Sequence, residues 1–368
     1  MSTVMLFGIG DLGGWVLEFL ARSAGVSDII ACDIRDDFPR MKTECVAIGA
    51  GQQGHTKNIL FQKCDVTDTD ATAELLRKHN PDVIYSALTL LGWVEMRVIP
   101  RAVGEDYHKA TACLIPLNVP LISRLMKARN KAGLTVPVIN NSYPDVTNVV
   151  LWRNGLGPLV GGGNVDLIVS EMRRKVSVAE NVPYREVTVY LVACHAVVPQ
   201  GKGAPFFLKV MVGDRDVTNK YGVDWFFADS LIRSTPPEWT TLVNEPYVAA
   251  SAVRNITAIV NNTRELAHAP GPIGLPGGYP IRIGSAGVEL ALPEGLTRER
   301  AIEINLEGLK REGTQEIKPD GTVVLTDEAY RVQKKLYGMD LREFKFADME
   351  DIGKELRAIA KKLIVKYG

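Results

Sequence analysis

Three glycines near the start of the chain, Gly8, Gly10 and Gly13, follow the pattern GxGxxG. A short apolar run ends just before them and an amphipathic stretch follows, so they lie in a turn between a strand and a helix. In such a turn the first glycine permits a tight bend, the second leaves room for a diphosphate, and the third lets the helix pack on the strand. Asp33 ends the next predicted strand, 20 residues after Gly13, where a carboxylate accepts hydrogen bonds from a ribose. The sequence therefore predicts a dinucleotide-binding site.

The acid at position 33 also selects between dinucleotides. A carboxylate repels the 2′-phosphate of NADP, so Asp33 favours NAD as the cofactor, whereas the nearby Arg35 works against this preference. Further candidate cofactor-binding residues lie in the same turn and at the ends of later strands: Asp11, Leu12, Asp65, Val66 and Ala87. For Asp65, contact with an adenine ring and a role as an ordinary turn residue are both open.

Short apolar strands alternate with helical stretches through residues 1–145. The predicted strands lie at 3–7, 28–32, 59–62, 81–88 and 136–140, and predicted helices include 70–79 and 116–132. This alternation predicts an α/β fold, a Rossmann doubly wound parallel sheet with helices on both faces. We assign residues 1–145 to a dinucleotide-binding domain.

After residue 145 the pattern changes and predicts a second, α+β domain at 146–368. It opens with glycines at 161–163, followed by a helix with apolar side chains on one stripe. We expect this domain to carry the substrate site, the catalytic groups and the oligomer interface. Its other predicted elements are a partly buried strand at 186–198, a helix at 246–267 with Pro246 in its first turn, two strands within 280–292, and helices at 298–312 and 348–366.

The composition argues against several classes of partner, although a zero net charge still permits a local basic patch. The 368 residues carry 43 basic and 43 acidic side chains, so the formal net charge is zero, whereas nucleic-acid binding needs a basic excess. No apolar run approaches the ~20 residues of a membrane span, and we expect no signal peptide. The five cysteines are scattered without a CxxC pair, which favours a reduced, cytoplasmic setting. We expect a small-molecule substrate, no nucleic-acid or membrane partner, no metal, and a homodimer or homotetramer.

Four stretches of the later sequence occur in the order found in a known family. They are VINNSYPDVTN at 138–148, GGGNVD at 161–166, YLVACHAVV at 190–198, and the segment 274–301. Together they resemble the lactate/malate dehydrogenase superfamily over about residues 138–312. The earlier segment CDVTDTDATAELLRKHNPDVIYSAL is more similar to extended short-chain reductases and saccharopine-reductase-like proteins.

The resemblance implies roles for three residues. It places Asn141 against the nicotinamide ribose and the substrate, with Asn140 and Ser142 as alternatives in register. It makes His195 the catalytic acid/base, and Asp166 the carboxylate that orients it. This pairing is also sound chemically, because a histidine ionises near neutral pH and a carboxylate on its other nitrogen fixes the tautomer.

Two positions depart from the family. Val169 stands where the family has the arginine that clamps a substrate carboxylate, and Ala196 stands where it has glycine. The missing arginine argues against a simple 2-hydroxy acid. We name Arg97 as a candidate substrate-binding residue, and the other arginines that are possible substitutes are Arg101, Arg173 and Arg254.

The sequence thus favours an NAD-dependent dehydrogenase that transfers a hydride between nicotinamide and a small hydroxyl or amino substrate. One alternative is an NAD-dependent glycosidase similar to family 4, which holds a divalent metal through a Cys and a His; here 161–166 contains no Cys. The other is a protein that senses NAD without catalysis. Cys194 beside His195 is expected to be a small core residue, and Tyr330 with Lys334 an exposed helical pair.

Overall fold

The amino-terminal half folds around a six-stranded parallel sheet. The computed structural model describes residues 2–96, 99, 104 and 107–367. The strand order is β3-β2-β1-β4-β5-β6, and every neighbouring pair is parallel. This confirms the predicted doubly wound α/β sheet, to which the structure adds a sixth strand. The strands are β1 (Ser2–Phe7), β2 (Val26–Asp33), β3 (Asn58–Lys63), β4 (Val83–Ser86), β5 (Val138–Asn140) and β6 (Val160–Gly161).

Helices cover both faces of this sheet. Alternate residues of a strand point to opposite faces, so Phe7 and Ile84 belong to one buried core while Leu6 and Tyr85 belong to another. The proposed domain boundary at residue 145 stays a prediction, and β6, which follows it, belongs to the parallel sheet. Within the described residues, the α-helices of this half are α1 (Asp11–Leu20), α2 (Phe38–Gln52), α3 (Thr69–His79), α4 (Trp93–Met96), α5 (Ile115–Lys131) and α6 (Pro144–Arg153).

The rest of the chain forms three small antiparallel sheets and eight further α-helices within the described residues. The strands are β7 (Val187–Val192), β8 (Phe207–Val212), β9 (Arg215–Asp216), β10 (Leu266–Pro270), β11 (Gly278–Gly284), β12 (Gly287–Leu290), β13 (Thr314–Ile317), β14 (Val323–Leu325) and β15 (Glu343–Phe344). The helices are α7 (Val165–Glu180), α8 (Val197–Gln200), α9 (Thr218–Phe227), α10 (Leu231–Ser234), α11 (Thr240–Asn261), α12 (Arg298–Arg311), α13 (Asp327–Tyr337) and α14 (Met349–Tyr367). Among the described residues, no helix has the length and apolar character needed to cross a bilayer.

Two predicted elements need correction. The predicted strand 186–198 ends at Val192, because β8 pairs with it only up to that residue, and the chain then turns at His195 and Ala196. The predicted helix 246–267 instead begins at Thr240, so Pro246 lies inside it. A proline there removes the bond to the carbonyl of residue 242, whose side chain is exposed, so solvent can satisfy that group.

Candidate functional site

The backbone conformation of the first residue in the turn after β1 requires a glycine. Gly8 has a φ of +90°, and its N–H donates to the carbonyl of Cys32 at the end of β2, at 2.9 Å. A Cβ at this position would also lie 3.1 Å from the carbonyl oxygen of Ala87. Gly8 therefore brings together the ends of β1, β2 and β4 and lies beside Ala87, whose contact with a cofactor stays a prediction.

The second and third glycines have different roles. A Cβ on Gly13 would lie 1.8 Å from the carbonyl oxygen of Gly8, so only glycine lets α1 pack this closely on the turn. A Cβ on Gly10 would meet nothing within 4 Å, so open space lies in front of the amino end of α1. The free N–H groups of this end, which Asp11 and Leu12 begin, suit a diphosphate. The turn therefore fits the pyrophosphate of a dinucleotide.

Asp33 ties the glycine turn to β2. Its carboxylate accepts a hydrogen bond from the backbone N–H of Ile9 at 2.8 Å and another from that of Arg35 at 2.9 Å. The guanidinium of Arg35 stays 3.7 Å away, near the ring of Phe38. The acid thus fixes the glycine turn against β2, and a contact of Asp33 with a ribose stays a prediction.

Asp65 occupies a turn at the end of β3. Its Oδ1 accepts from the N–H and the hydroxyl of Thr67, at 2.9 and 2.7 Å, while Val66 is buried. The turn role is therefore present, and contact of Asp65 or Val66 with an adenine stays a prediction. Asp65 also lines a cavity of about 230 Å³ beside β3, together with Gln62, Lys63, Cys64, Asp68, Ala71 and Leu75.

The ring of His195 is paired with a carboxylate that the sequence analysis missed. Its Nδ1 is hydrogen-bonded to Oε1 of Glu312, a fully buried residue directly after α12. The second oxygen of Glu312 accepts from the hydroxyl of Tyr143 at 3.2 Å, and the Tyr143 ring lies edge-on to that of His195 with 6.0 Å between centroids. Tyr143, Glu312 and His195 therefore form one hydrogen-bonded chain.

A second buried acid, Asp145, fixes the backbone around His195. Its Oδ1 accepts from the backbone N–H of His195 at 2.9 Å, and its Oδ2 accepts from the side-chain amide of Asn164. Asp145 lies in the first turn of α6 and Asn164 directly before α7, so one carboxylate joins the His195 turn to two helix starts. Burial is the main cause that raises the pKa of Asp145 to about 6.

The carboxylates decide the charge of His195. Burial alone would lower the pKa of its ring, but Glu312, through its charge and hydrogen bond, and Asp145, through its charge, raise that pKa to about 9. Burial and the charge of Glu312 raise the pKa of Tyr143 as well, so it stays a hydroxyl donor. At neutral pH the site therefore holds an imidazolium beside a buried carboxylate, a group able to donate a proton.

Asp166 has a different partner from the one expected. It lies in the first turn of α7, and its Oδ1 accepts from Arg254 of α11 at 2.9 Å. A second nitrogen of Arg254 donates to the carbonyl of His268 at 3.0 Å. The predicted His195–Asp166 pair is therefore wrong in this structure. Asp166 is bound to the guanidinium of Arg254, and the Nδ1 of His195 is bound to Glu312.

Asn140, Asn141 and Ser142, the three candidates for the ligand contact after β5, differ in their hydrogen bonds. Asn140 is fully buried, donates to the side chain of Asn148 at 2.9 Å and accepts from the N–H of Ser142 at 3.2 Å. Asn141 donates to the carbonyl of Gly162 at 3.4 Å, and its buried Oδ1 has no hydrogen-bond partner among the described residues. Asn141 is therefore the amide with an acceptor oxygen to offer a ligand.

The candidate arginines do not form a clamp in the described residues. Val169 is buried in the core, and Arg173 donates to the carbonyls of Val187 and Tyr184. Arg254 is bound to Asp166. Arg97 and Arg101 lie outside the described residues, so both stay predictions.

Two other side-chain pairs were expected to have no catalytic role. Cys194, beside His195, is fully buried, as expected of a core residue. The hydroxyl of Tyr330 and the ammonium of Lys334 both bond to Asp340 at the surface.

Solved structures share this architecture. No family model and no curated protein matches the sequence. A lactate dehydrogenase from a Medee basin deep-sea metagenome library is 15% identical, with 84% of this chain and 96% of that chain covered and a TM-score of 0.60. The apo malate dehydrogenase of Picrophilus torridus is 16% identical over 100% and 99% of the two chains, with a TM-score of 0.58. The Eimeria maxima lactate dehydrogenase is 14% identical over 84% and 92%, with a TM-score of 0.59. The chain therefore has the fold of the lactate and malate dehydrogenases.

Proposed function

We propose that this protein is an NAD-dependent oxidoreductase that moves a hydride between nicotinamide and a small hydroxyl or amino substrate. The proposal depends on one observation above all: His195, paired with the buried Glu312, lies at the same end of the parallel sheet as the glycine turn. Tyr143 in the loop after β5 and Asp145 in the first turn of α6, which follows it, hold this pair. That loop is two strands from the turn after β1, or about 10 Å across the sheet.

The glycine turn and Asp33 are the groups proposed to hold the cofactor. The open space at Gly10 admits the pyrophosphate, and the amino end of α1 supplies N–H donors to it. Asp33 accepts from the ribose hydroxyls and repels a 2′-phosphate, so NAD is favoured over NADP. Two structural neighbours support this choice: the Eimeria maxima enzyme was solved with NADH and oxamate, and that of Cryptosporidium parvum with lactic acid and nicotinamide adenine dinucleotide.

The cofactor, when bound, supplies the hydride acceptor or donor, and His195 donates or accepts the proton. Glu312 keeps the proton on Nδ1 and stabilises the imidazolium, which leaves Nε2 for the substrate oxygen. In the reductive direction Nε2 donates its proton to a carbonyl oxygen. In the oxidative direction neutral His195 accepts the hydroxyl proton. Tyr143 holds Glu312, and Asp145 holds the backbone of His195.

The remaining expectations belong to the same proposal. They are a dinucleotide-binding domain at 1–145, a catalytic domain at 146–368, a reduced cytoplasmic setting and a homodimer or homotetramer. The glycosidase alternative is disfavoured by the sequence, because 161–166 contains no Cys to hold a metal, and stoichiometric manganese in the purified protein would revive it. The alternative of an NAD sensor makes the opposite prediction in the following test.

The test is hydride transfer. Purified protein is incubated with NAD and a panel of hydroxy acids, amino acids, amino alcohols and sugars, and NADH is followed by its absorbance. We expect turnover with at least one class, a loss of about 10²–10⁴-fold in His195→Gln, and full activity in His55→Gln, which changes a histidine in the loop before β3. NAD binding without transfer to any compound would refute the proposal and favour a sensor.

A further inference from the structure

One carboxylate of the cleft is not used by the proposed mechanism. Glu245 lies on α11 and is 4% exposed. It shares a buried stripe of that helix with Ala249, Ala252 and Ile256, each 0% exposed. Burying a carboxylate among apolar groups is costly unless it gains hydrogen bonds or an opposite charge, so an acid in this position needs a partner.

The described surroundings of Glu245 supply little to stabilise its charge. Its Oε1 accepts one long hydrogen bond, 3.3 Å, from the indole N–H of Trp93 in α4. The nearby acid Asp11 is of like charge. The helix α11 packs against β4, which carries Tyr85. The hydroxyl of Tyr85 is fully buried and has no partner among the described residues, and burial and the charge of Glu245 raise its pKa. Within the described residues, Glu245 therefore has one long hydrogen bond and no basic partner, and the hydroxyl of Tyr85 is still available to a ligand.

The position of Glu245 connects this space to the cleft. Trp93 follows β4, and Asp11 opens α1 directly after the glycine turn. Farther along α11, the Cα of Ala252 lies 3.1 Å from where a Cβ on Gly162 would sit, and the unpartnered Oδ1 of Asn141 lies 2.7 Å from that point. Glu245 is thus on the face of α11 that closes the cleft at the carboxyl ends of β1, β4 and β5, where open α/β sheets bind ligands.

Among the described residues, the charges near Glu245 favour a cation. The arginine position of the dehydrogenase family is a buried valine, Val169, and Arg254 is bound to Asp166. Burial raises the pKa of Glu245 to about 7, so a positive partner is enough to keep it ionised at neutral pH. A carboxylate ligand would meet Glu245 with like charge, whereas an ammonium donates to it in a charge-assisted bond.

We propose that Glu245 binds the ammonium group of the substrate, so that the substrate is an amino alcohol or the corresponding amino carbonyl compound rather than a hydroxy acid. The hydroxyl of Tyr85 accepts a second hydrogen bond from the same ammonium group. This inference rests on the proposed function, because it assigns the substrate class to the cleft in which His195 works.

Three small probes of similar size test the inference by charge alone: serinol is a cation, glycerol is neutral and glycerate is an anion. Their binding to the NADH-loaded protein is measured by calorimetry or ligand-observed NMR. We expect serinol to bind at least tenfold more tightly than glycerol, and glycerate to bind most weakly. Glu245→Gln should abolish the preference for serinol, whereas Glu238→Gln, at an exposed position just before α11, should keep it.

The ranking on the unaltered protein decides the inference even if Glu245→Gln does not fold. Glycerate binding as tightly as serinol, or none of the three binding, overturns it. Hydride transfer to or from glycerate without serinol preference would leave the proposed function standing and the inference refuted. Serinol preference that Glu245→Gln removes, without hydride transfer to any panel compound, would support the cation site and refute the proposed function.

Discussion

Replacing Glu312 by glutamine is expected to change the ionisation of His195 more than its position. The amide keeps the size of the side chain and can still accept a bond from Nδ1–H, but it removes the buried charge. Glu312 is the main cause that raises the pKa of His195 to about 9, against an ordinary value of 6.5. In the variant we expect that pKa to fall to 6.5 or below, because burial then dominates. Each pKa unit corresponds to 1.36 kcal/mol, so the imidazolium loses roughly 3 kcal/mol of stabilisation.

NMR titration of the histidine ring signals measures this change without a substrate. The chain has five histidines, and the signal of His195 is identified by its absence in His195→Gln. Reduction of a carbonyl needs the imidazolium, so its rate should be constant up to about pH 9 in the native protein and fall above about 6.5 in Glu312→Gln. Oxidation of an alcohol should show the reverse dependence. Glu307→Gln, half-exposed on α12, is the matched control. A Glu312→Gln protein in which His195 still titrates near 9 would refute the reasoning.

The remaining predictions concern the cofactor turn. Gly13→Ala should lower the free energy of unfolding by about 1–3 kcal/mol in denaturant titrations, because its Cβ meets the backbone of Gly8, while Gly10→Ala, facing open space, should change it little. Gly10→Val should abolish NAD binding in a fluorescence titration with the fold intact, and normal binding would place the phosphates elsewhere. Asp33→Ala should narrow the preference for NAD over NADP and weaken both, because the bond to Ile9 is lost; a native preference for NADPH would contradict this.

The fold of the amino-terminal half could be predicted from the sequence because its signals are local. The glycines, the strand before them and the acid at the end of β2 lie within 33 residues, and each has a backbone reason to be where it is. The positive φ of Gly8 and the close approach at Gly13 are the steric constraints that the GxGxxG spacing implies.

The catalytic half was only partly predictable because its partners meet through tertiary contacts. Glu312 follows a helix that was predicted almost correctly, but nothing in its local pattern links it to His195, 117 residues earlier. Asp166 has the helix-start position expected of it, yet Arg254, 88 residues later, is its partner. The stretch 190–198 is apolar apart from His195, and this hid the end of β7, since alternation cannot mark where a buried strand stops. The signal available was the acid in YPDV, Asp145, whose buried carboxylate holds the turn at His195.

The most direct test of the central claim is the rate of hydride transfer between NAD(H) and the substrate panel in the native protein and in His195→Gln, with NADH affinity measured on the same samples. We expect transfer by the native protein, a rate about 10²–10⁴-fold lower in the variant, and an unchanged dissociation constant for NADH, because the glycine turn and Asp33 are intact. Equal rates in the two proteins, or no transfer by either while NADH binds, would contradict the assignment of His195 as the acid/base of an NAD-dependent oxidoreductase.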